Sequence, residues 1–270
     1  MPKAIDENKI HQLLEKAVKG NQPALESILK EVQDFIYKLS LRMLWNPVDA
    51  EDATQEILIR ILQNLKTFKY ESKFSTWVYR VTVNFLINQK KKTYALEENY
   101  KGMIRKLEKA NSQIELEKKQ DTEGLKLGCT YAMLLSLDRN YRIAFILHYV
   151  FELKGEEAAE ILQISEVNYR KRVSRAKEKL LSFMTSRCNF INDSLTCKCP
   201  NVLTHLVSQN FITSQDTKKL KSTYGSKITD KEILRNYDSM ERLAILYKEN
   251  SNWRSSSILN RKLKKLVLAE

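Results

Sequence analysis

The side chains best placed to do chemistry are basic or amide-bearing. They crowd one side of the stretch GEEAAEILQISEVNYRKRVSRAKEKLL at 155–181. From Ser165 onward, Tyr169, Val173, Ala176 and Leu180 recur at i, i+4, i+7 and i+11, which is one buried stripe of a helix. The other side then carries Asn168, Arg170, Lys171, Arg172, Ser174, Arg175 and Lys177. A major groove admits one α-helix, and base edges there are read by forked guanidinium and amide groups. Asn168, Lys171 and Arg172 lie early in the helix and suit base edges, whereas Arg170, Arg175 and Lys177 suit phosphates. The preceding residues fit a partner helix: Ala158, Ile161 and Leu162 for its buried side, with Ala159 small enough for a close crossing. Ile164 can plug the corner, and Ser165 can accept from the orphan amides of the next helix. A basic helix alone is better explained by a merely solvated face. The small residues, the cap and the short connection together predict a helix-turn-helix at about 156–181 that binds DNA.

A second constellation lies upstream. Asp49, Glu51, Asp52, Gln55 and Glu56 form a polar, acidic face beside the apolar positions Ala53, Ile57, Leu58, Ile61, Leu62 and Leu65. Carboxylates paired on a helix can serve acid–base chemistry or hold Mg²⁺, but no His, nucleophile or phosphate loop converges on them in sequence. An acidic protein-docking face is the functional reading, against simple solvation. Just beyond, Phe68, Tyr70, Phe74, Trp77, Tyr79 and Phe85 interleave with Lys66, Lys69, Lys73, Arg80 and Lys90–Lys92. Rings beside cations are what unstacked single-strand bases need. Most of these rings should nevertheless be core, and Trp77, Val81 and Phe85 (i, i+4, i+8) read as a packed stripe.

Cys188, Cys197 and Cys199, followed by His205, could hold a structural zinc, although the short C-x-C is not the usual spacing. Redox-responsive thiols and ordinary reduced cysteines are the other readings, and an intracellular location argues against a standing disulfide. No cofactor is expected, and an enzyme is disfavoured.

The elements that must position these residues are helical. The chain has 270 residues, 43% of them hydrophobic, with only six glycines and four prolines to interrupt it. With 46 Lys and Arg against 33 Asp and Glu, the formal net charge of +13 favours a polyanionic partner. No apolar run is long enough to span a bilayer and no secretory signal opens the chain, so a cytoplasmic location without membrane insertion is expected. The expected fold is all-α: two small helical domains at 1–95 and 130–187 joined by a polar linker at 96–129. A mostly helical, basic, cysteine-bearing extension follows at 188–270. Helices are expected over 7–20 and 22–45, with Pro47 as a stop. Others should start at Asp49 or Asp52, at Ser72 or Ser75, and at Arg139, with a break at Gly155, and lie over 229–249 and 254–268.

With both regions in view, the chain resembles bacterial RNA polymerase sigma factors of the sigma-70 superfamily, extracytoplasmic-function type. DAEDATQEILIRILQNLKTFKYESKFSTWVYRVTVNFLINQKKK is similar to that family's core-binding and −10-recognition region. LSLDRNYRIAFILHYVFELKGEEAAEILQISEVNYRKRVSRAKEKLL is similar to its −35-binding region. The resemblance implies that Asp49, Asp52, Gln55 and Glu56 dock on core RNA polymerase. It implies that the loop from Lys69 through Lys73 to Phe74 receives a flipped −10 base, with Arg80 and Asn84 contacting promoter DNA. It also implies that Asn168, Lys171, Arg172 and Arg175 lie along the −35 groove, and it adds an anti-sigma factor as a candidate partner. Asn88 and Gln89 stand where the family often has acidic residues, and Val167 where it often has Gly. A helix-turn-helix regulator that does not join polymerase is the alternative. It would leave the acidic helix and the aromatic–basic segment without a role.

Overall fold

The computed structural model describes residues 6–44, 46–89, 133–134, 137–188, 191–192 and 194–195. The linker expected at 96–129, Cys197, Cys199, His205 and the helices expected at 229–249 and 254–268 lie outside them. Among the described residues, seven α-helices and no strands are found. They are α1 (Glu7–Val18), α2 (Gln22–Leu44), α3 (Pro47–Asn64), α4 (Phe74–Asn88), α5 (Arg139–Phe145), α6 (Gly155–Leu162) and α7 (Glu166–Arg187). A 3₁₀ turn at Leu65–Thr67 follows α3, and a π-helical turn at Ile146–Val150 follows α5. The described residues fall into two compact units. One takes those of Met1–Lys90 and Ile146–Arg172, the other those of Lys91–Phe145 and Val173–Trp253.

In the first unit, local chemistry sets most helix ends. Asp6 caps α1 by accepting from the Lys9 amide at 3.1 Å. Gly20 takes φ +88° where α1 ends, a conformation costly for residues with a Cβ. Asn21 accepts from the Ala24 amide at 2.9 Å and starts α2. α3 begins earlier than expected: Asn46 accepts from the Val48 and Asp49 amides, and Pro47 occupies the first turn. Proline stops one helix but is well suited to open another, since the first amides have no intrahelical partner. The core of this unit comes from α2 (Ile28, Leu29, Val32, Ile36, Leu39), α3 (Ile57, Leu58, Ile61) and α4 (Phe74, Val78, Leu86), all almost wholly buried. The stripe expected on α4 is displaced, because Trp77 and Val81 are only half-buried while Phe74, Val78 and Thr82 are buried. The helix is apolar on more than one side, so its i+4 repeats alone do not select the inner one.

The apolar run after Arg139 does not continue as one α-helix. The Phe151 amide donates to the Ile146 carbonyl at 3.0 Å, a longer-range bond than an α-turn makes, and Glu152 then turns with φ +55°. Gly155 opens α6 instead of marking a gap between helices; a Cβ there would meet the Glu166 carboxylate at 3.0 Å. In the second unit, Arg142 is buried and donates to the carbonyls of Leu134 (3.1 Å) and Leu137 (2.9 Å). It thereby satisfies acceptors left by the turn ahead of α5.

The Tyr169 hydroxyl is buried without a hydrogen-bond partner among the described residues, and burial pushes its titration upward, with Tyr149 adding to the shift. An unsatisfied buried hydroxyl is destabilising. Tyr169→Phe should therefore raise unfolding stability by about 1 kcal/mol. Tyr169→Ala, which leaves a cavity, should lower it by about 3 kcal/mol or more. Chemical denaturation of both variants checks the pair, and a Phe variant less stable than wild type would show that the hydroxyl is held by something else.

Candidate nucleic-acid interface

The turn between α6 and α7 is built by backbone chemistry. Gln163 adopts the left-handed region at φ +53°, with its amide bonded to the Glu160 carbonyl at 3.2 Å. The Ile164 amide donates to the Ala159 carbonyl at 3.1 Å, so the last turn of α6 is closed before the chain reverses. The Ser165 hydroxyl accepts from the Asn168 amide at 3.3 Å, as its type and position predict. Ala158, Ala159 and Ile161 are buried on α6, whereas Leu162 is only half-buried.

α7 presents two chemically distinct sides. Tyr169, Val173, Ala176 and Leu180 are all buried, and Met184 extends the stripe. Asn168, Arg170, Lys171, Ser174 and Arg175 are exposed, with Arg172 and Lys177 half-buried. Arg170 pairs with Glu166 at 2.5 Å, one turn back. Arg175 donates to the Tyr141 hydroxyl at 3.4 Å, and the Lys179 ammonium lies 5.1 Å from the same ring. Lys171 has no ion-pair partner among the described residues.

On α3, Asp52 and Glu56 are exposed one turn apart, while Asp49 and Gln55 are half-buried. Glu56 makes a loose pair with Arg60 at 3.6 Å. The carboxylates thus form an outward acidic edge, with no His or Cys grouped with them. Among the described residues, no cluster of His, Cys, Asp or Glu could hold a metal. Cys188 is half-buried.

The segment between the 3₁₀ turn and α4 places Lys69, Tyr70 and Lys73 at the surface and Phe74 in the core. The Phe68 ring packs on Phe74 and Trp77, each with centroids 5.5 Å apart. Neither Ser72 nor Ser75 caps α4. The Glu7 carboxylate of α1 does so, accepting from the Phe74 amide at 3.0 Å and the Ser75 amide at 3.1 Å. No spacing rule could have found this cap, since its two halves are 67 residues apart. Tyr70, with φ +60°, was also not distinguished by sequence from the other rings of the segment.

Further along α4, Asn84 is exposed and lines a groove of about 640 Å³ with Arg60, Phe85 and Asn88. The Arg60 guanidinium lies over the Phe85 ring at 4.8 Å. Arg80 is engaged with α6: its Nη2 donates to Glu160 Oε1 at 2.8 Å and its Nε to the Glu160 carbonyl at 3.3 Å. A residue expected to touch DNA is therefore held by the first helix of the helix-turn-helix.

Comparison with known proteins matches both regions in the same order. The family model for sigma-70 region 2 matches residues 28–95, and that for sigma-70, region 4, matches residues 127–180. The chain is 34% identical over 181 residues to the ECF RNA polymerase sigma factor SigW of Bacillus subtilis, covering 64% of this chain and 96% of SigW. It is 26% identical over 168 residues to the ECF RNA polymerase sigma factor SigE of Mycolicibacterium smegmatis, covering 60% and 62% respectively. Among solved structures, CnrH in complex with the cytosolic domain of CnrY is similar with a TM-score of 0.47 and 20% identity, over 67% of this chain and 99% of that one. The acidic helix and the aromatic–basic segment thus fall within the region 2 match, and the helix-turn-helix within that to region 4. The chain belongs to the extracytoplasmic-function RNA polymerase sigma factors and directs promoter-specific transcription initiation.

Proposed function

We propose that this sigma factor divides its work among three surfaces: α3 docks on core RNA polymerase, the segment entering α4 takes the melted −10 strand, and α7 grips the −35 duplex. The observation that carries this reading is α7, whose buried stripe leaves Asn168, Lys171 and Arg172 beside a capped turn. Asn168 and Lys171 are open to solvent in the first turns, where a helix entering a major groove meets base edges. Arg170, Arg175 and Lys177 are assigned to phosphates. On α3, the exposed Asp52 and Glu56 supply the docking charge, flanked by Asp49 and Gln55. Lys69 and Lys73 meet the single-strand backbone, and Arg80 and Asn84 follow it along α4. The work is done in the cytoplasm. The polymerase performs nucleotide addition, and this chain contributes recognition and strand opening without a reaction or cofactor of its own. The division into a 1–95 polymerase and −10 module and a 130–187 −35 module, linked by 96–129, follows from these roles.

Co-purification with core polymerase, followed by transcription from a promoter library, tests the whole assignment. Absence of a promoter-dependent transcript would overturn it. Asp52→Ala with Glu56→Ala should weaken core binding while leaving −35 duplex affinity unchanged; parallel loss of both activities would point to a folding defect instead.

Two substitutions on α7 should behave differently. Lys171→Ala should relax selection at one −35 position, worth about 1–3 kcal/mol of discrimination. Lys177→Ala should lower affinity for all sequences alike and reduce the salt slope by about one. Binding titrations over a −35 library at several salt concentrations separate these outcomes. Glu160→Ala, which releases the Arg80 side chain, should raise the free chain's affinity for single-stranded DNA. Unchanged affinity would show that Arg80 does not contribute there.

A further inference from the structure

Among the described residues four large apolar side chains are exposed, and Val167, at 59%, is the one on the helix-turn-helix. It is the second residue of α7. Folding gives no reason for it. A β-branched residue is a poorer helix former than alanine. The staple that fixes the entry of the chain uses the residue before the cap and the fourth helical residue, here Ile164 and Tyr169. An isolated exposed valine is common on any surface, so the exposure alone carries nothing. Its place on α7 does.

At about 100° per residue, Val167, Lys171, Ser174 and Glu178 share one line along the helix, directly away from the buried stripe. All four are exposed. The far end of this line is unsuited to DNA, because Ser174 donates to the Glu178 carboxylate at 3.0 Å and a carboxylate there is repelled by phosphates. The near end differs. Glu166, beside Val167, is paired with Arg170 one turn on. Asn168 and Lys171 are exposed next to the valine, so the first two turns of the line are the part that suits a duplex. In the major groove, base edges show one apolar group, the 5-methyl of thymine, and apolar side chains read it by contact.

We propose that Val167 is a specificity-determining residue that selects thymine at one −35 position by packing its γ-methyl groups on the 5-methyl of the base. The proposal rests on the reading of α7 as the −35 helix. It adds an apolar contact to the polar ones and fixes its register. Val167 and Lys171 are four residues apart, about 6 Å along the axis. That is less than two base-pair steps of about 3.4 Å, so the thymine lies within two base pairs of the position that Lys171 selects. The family often has glycine at this place, which offers a base no side chain, so this selection belongs to this chain.

The test uses the full chain assembled with core polymerase, and the probe is the promoter duplex best transcribed in the library. Each −35 thymine, on either strand, is replaced in turn by deoxyuridine, which removes the 5-methyl and keeps every pairing group. One replacement, within two base pairs of the position relaxed in Lys171→Ala, should weaken binding about fourfold, as the loss of one buried methyl requires. Val167→Ala puts a better helix former at an exposed site, so helicity and thermal stability should hold. It should bind the thymine duplex about fourfold more weakly than wild type, and the same deoxyuridine should cost it nothing. Val167→Ile, which keeps a γ-methyl, should keep the deoxyuridine penalty. No penalty at any thymine in wild type overturns the proposal, as does a penalty that stays undiminished in Val167→Ala. If Lys171→Ala still relaxes its own position in either case, the −35 reading of α7 stands and Val167 drops out of it. If neither substitution alters preference at any −35 position, that reading fails and the proposal with it.

Discussion

The first amides of α4 must be given acceptors, and the chain before them offers none. Lys73 stands at the cap position without a suitable oxygen, and the Ser72 hydroxyl faces the Lys73 carbonyl at 3.4 Å. Glu7 fills the vacancy from another helix, and its charge also suits the positive end of the α4 dipole. Much of the first unit follows from that contact. α1 must lie where its first turn reaches α4, with Ile10 and Leu14 turned inward and almost wholly buried. The loop is then held at its end by α1, and Phe68, Phe74 and Trp77 close beneath it. The segment proposed to meet single-stranded DNA is thereby fixed by a tertiary contact, independent of the residues it exposes. The Lys69 and Lys73 side chains stay at the surface at the helix start.

α6 carries a second shared constraint. Its last turn sets the left-handed Gln163 and hence the direction in which α7 leaves, while Glu160 in the same turn holds Arg80. For Arg80 to reach DNA, that pair must break. The Arg80 and Glu160 side chains are 27% and 49% exposed, so water already screens much of their attraction. Exposed pairs of this kind are worth about 0–1 kcal/mol. A row of phosphates can outcompete a single half-hydrated carboxylate, so the contact restrains Arg80 weakly and reversibly.

What could be read from sequence was what local chemistry decides. The α7 stripe is a regular repeat with one apolar side, and Ser165 is a cap whose partner is three residues away. Both are found where spacing puts them. The buried positions of α3 are legible for the same reason. Its start was misplaced because Pro47 has two opposite meanings, and only Asn46 ahead of it decides between them. The α4 stripe was misassigned because Trp77, Val81 and Phe85 repeat as well as Phe74 and Val78, and the choice between sides is made by α2 and α3. The Glu7 cap, the His11–Tyr70 ring contact and the Glu160–Arg80 pair join residues far apart in sequence. Periodicity carries no information about them. The site was therefore legible as a list of residue types, and illegible in which ring is exposed and which cation is already held.

The charge distribution shows why position outranks total charge here. A net charge of +13 draws the chain toward any polyanion, DNA or not. Beyond about 8 Å at physiological salt, exposed charges are largely screened from one another. In the proposed division, Asp52 and Glu56 keep an anionic partner off α3, while Lys69 and Lys73, with Glu71 between them, leave the loop a net positive charge. A chain with the same total charge spread evenly would bind DNA by every face. An exposed Asp52 and Glu56 one turn apart make that edge of α3 unfavourable for DNA, which is the basis on which it is proposed to meet a protein.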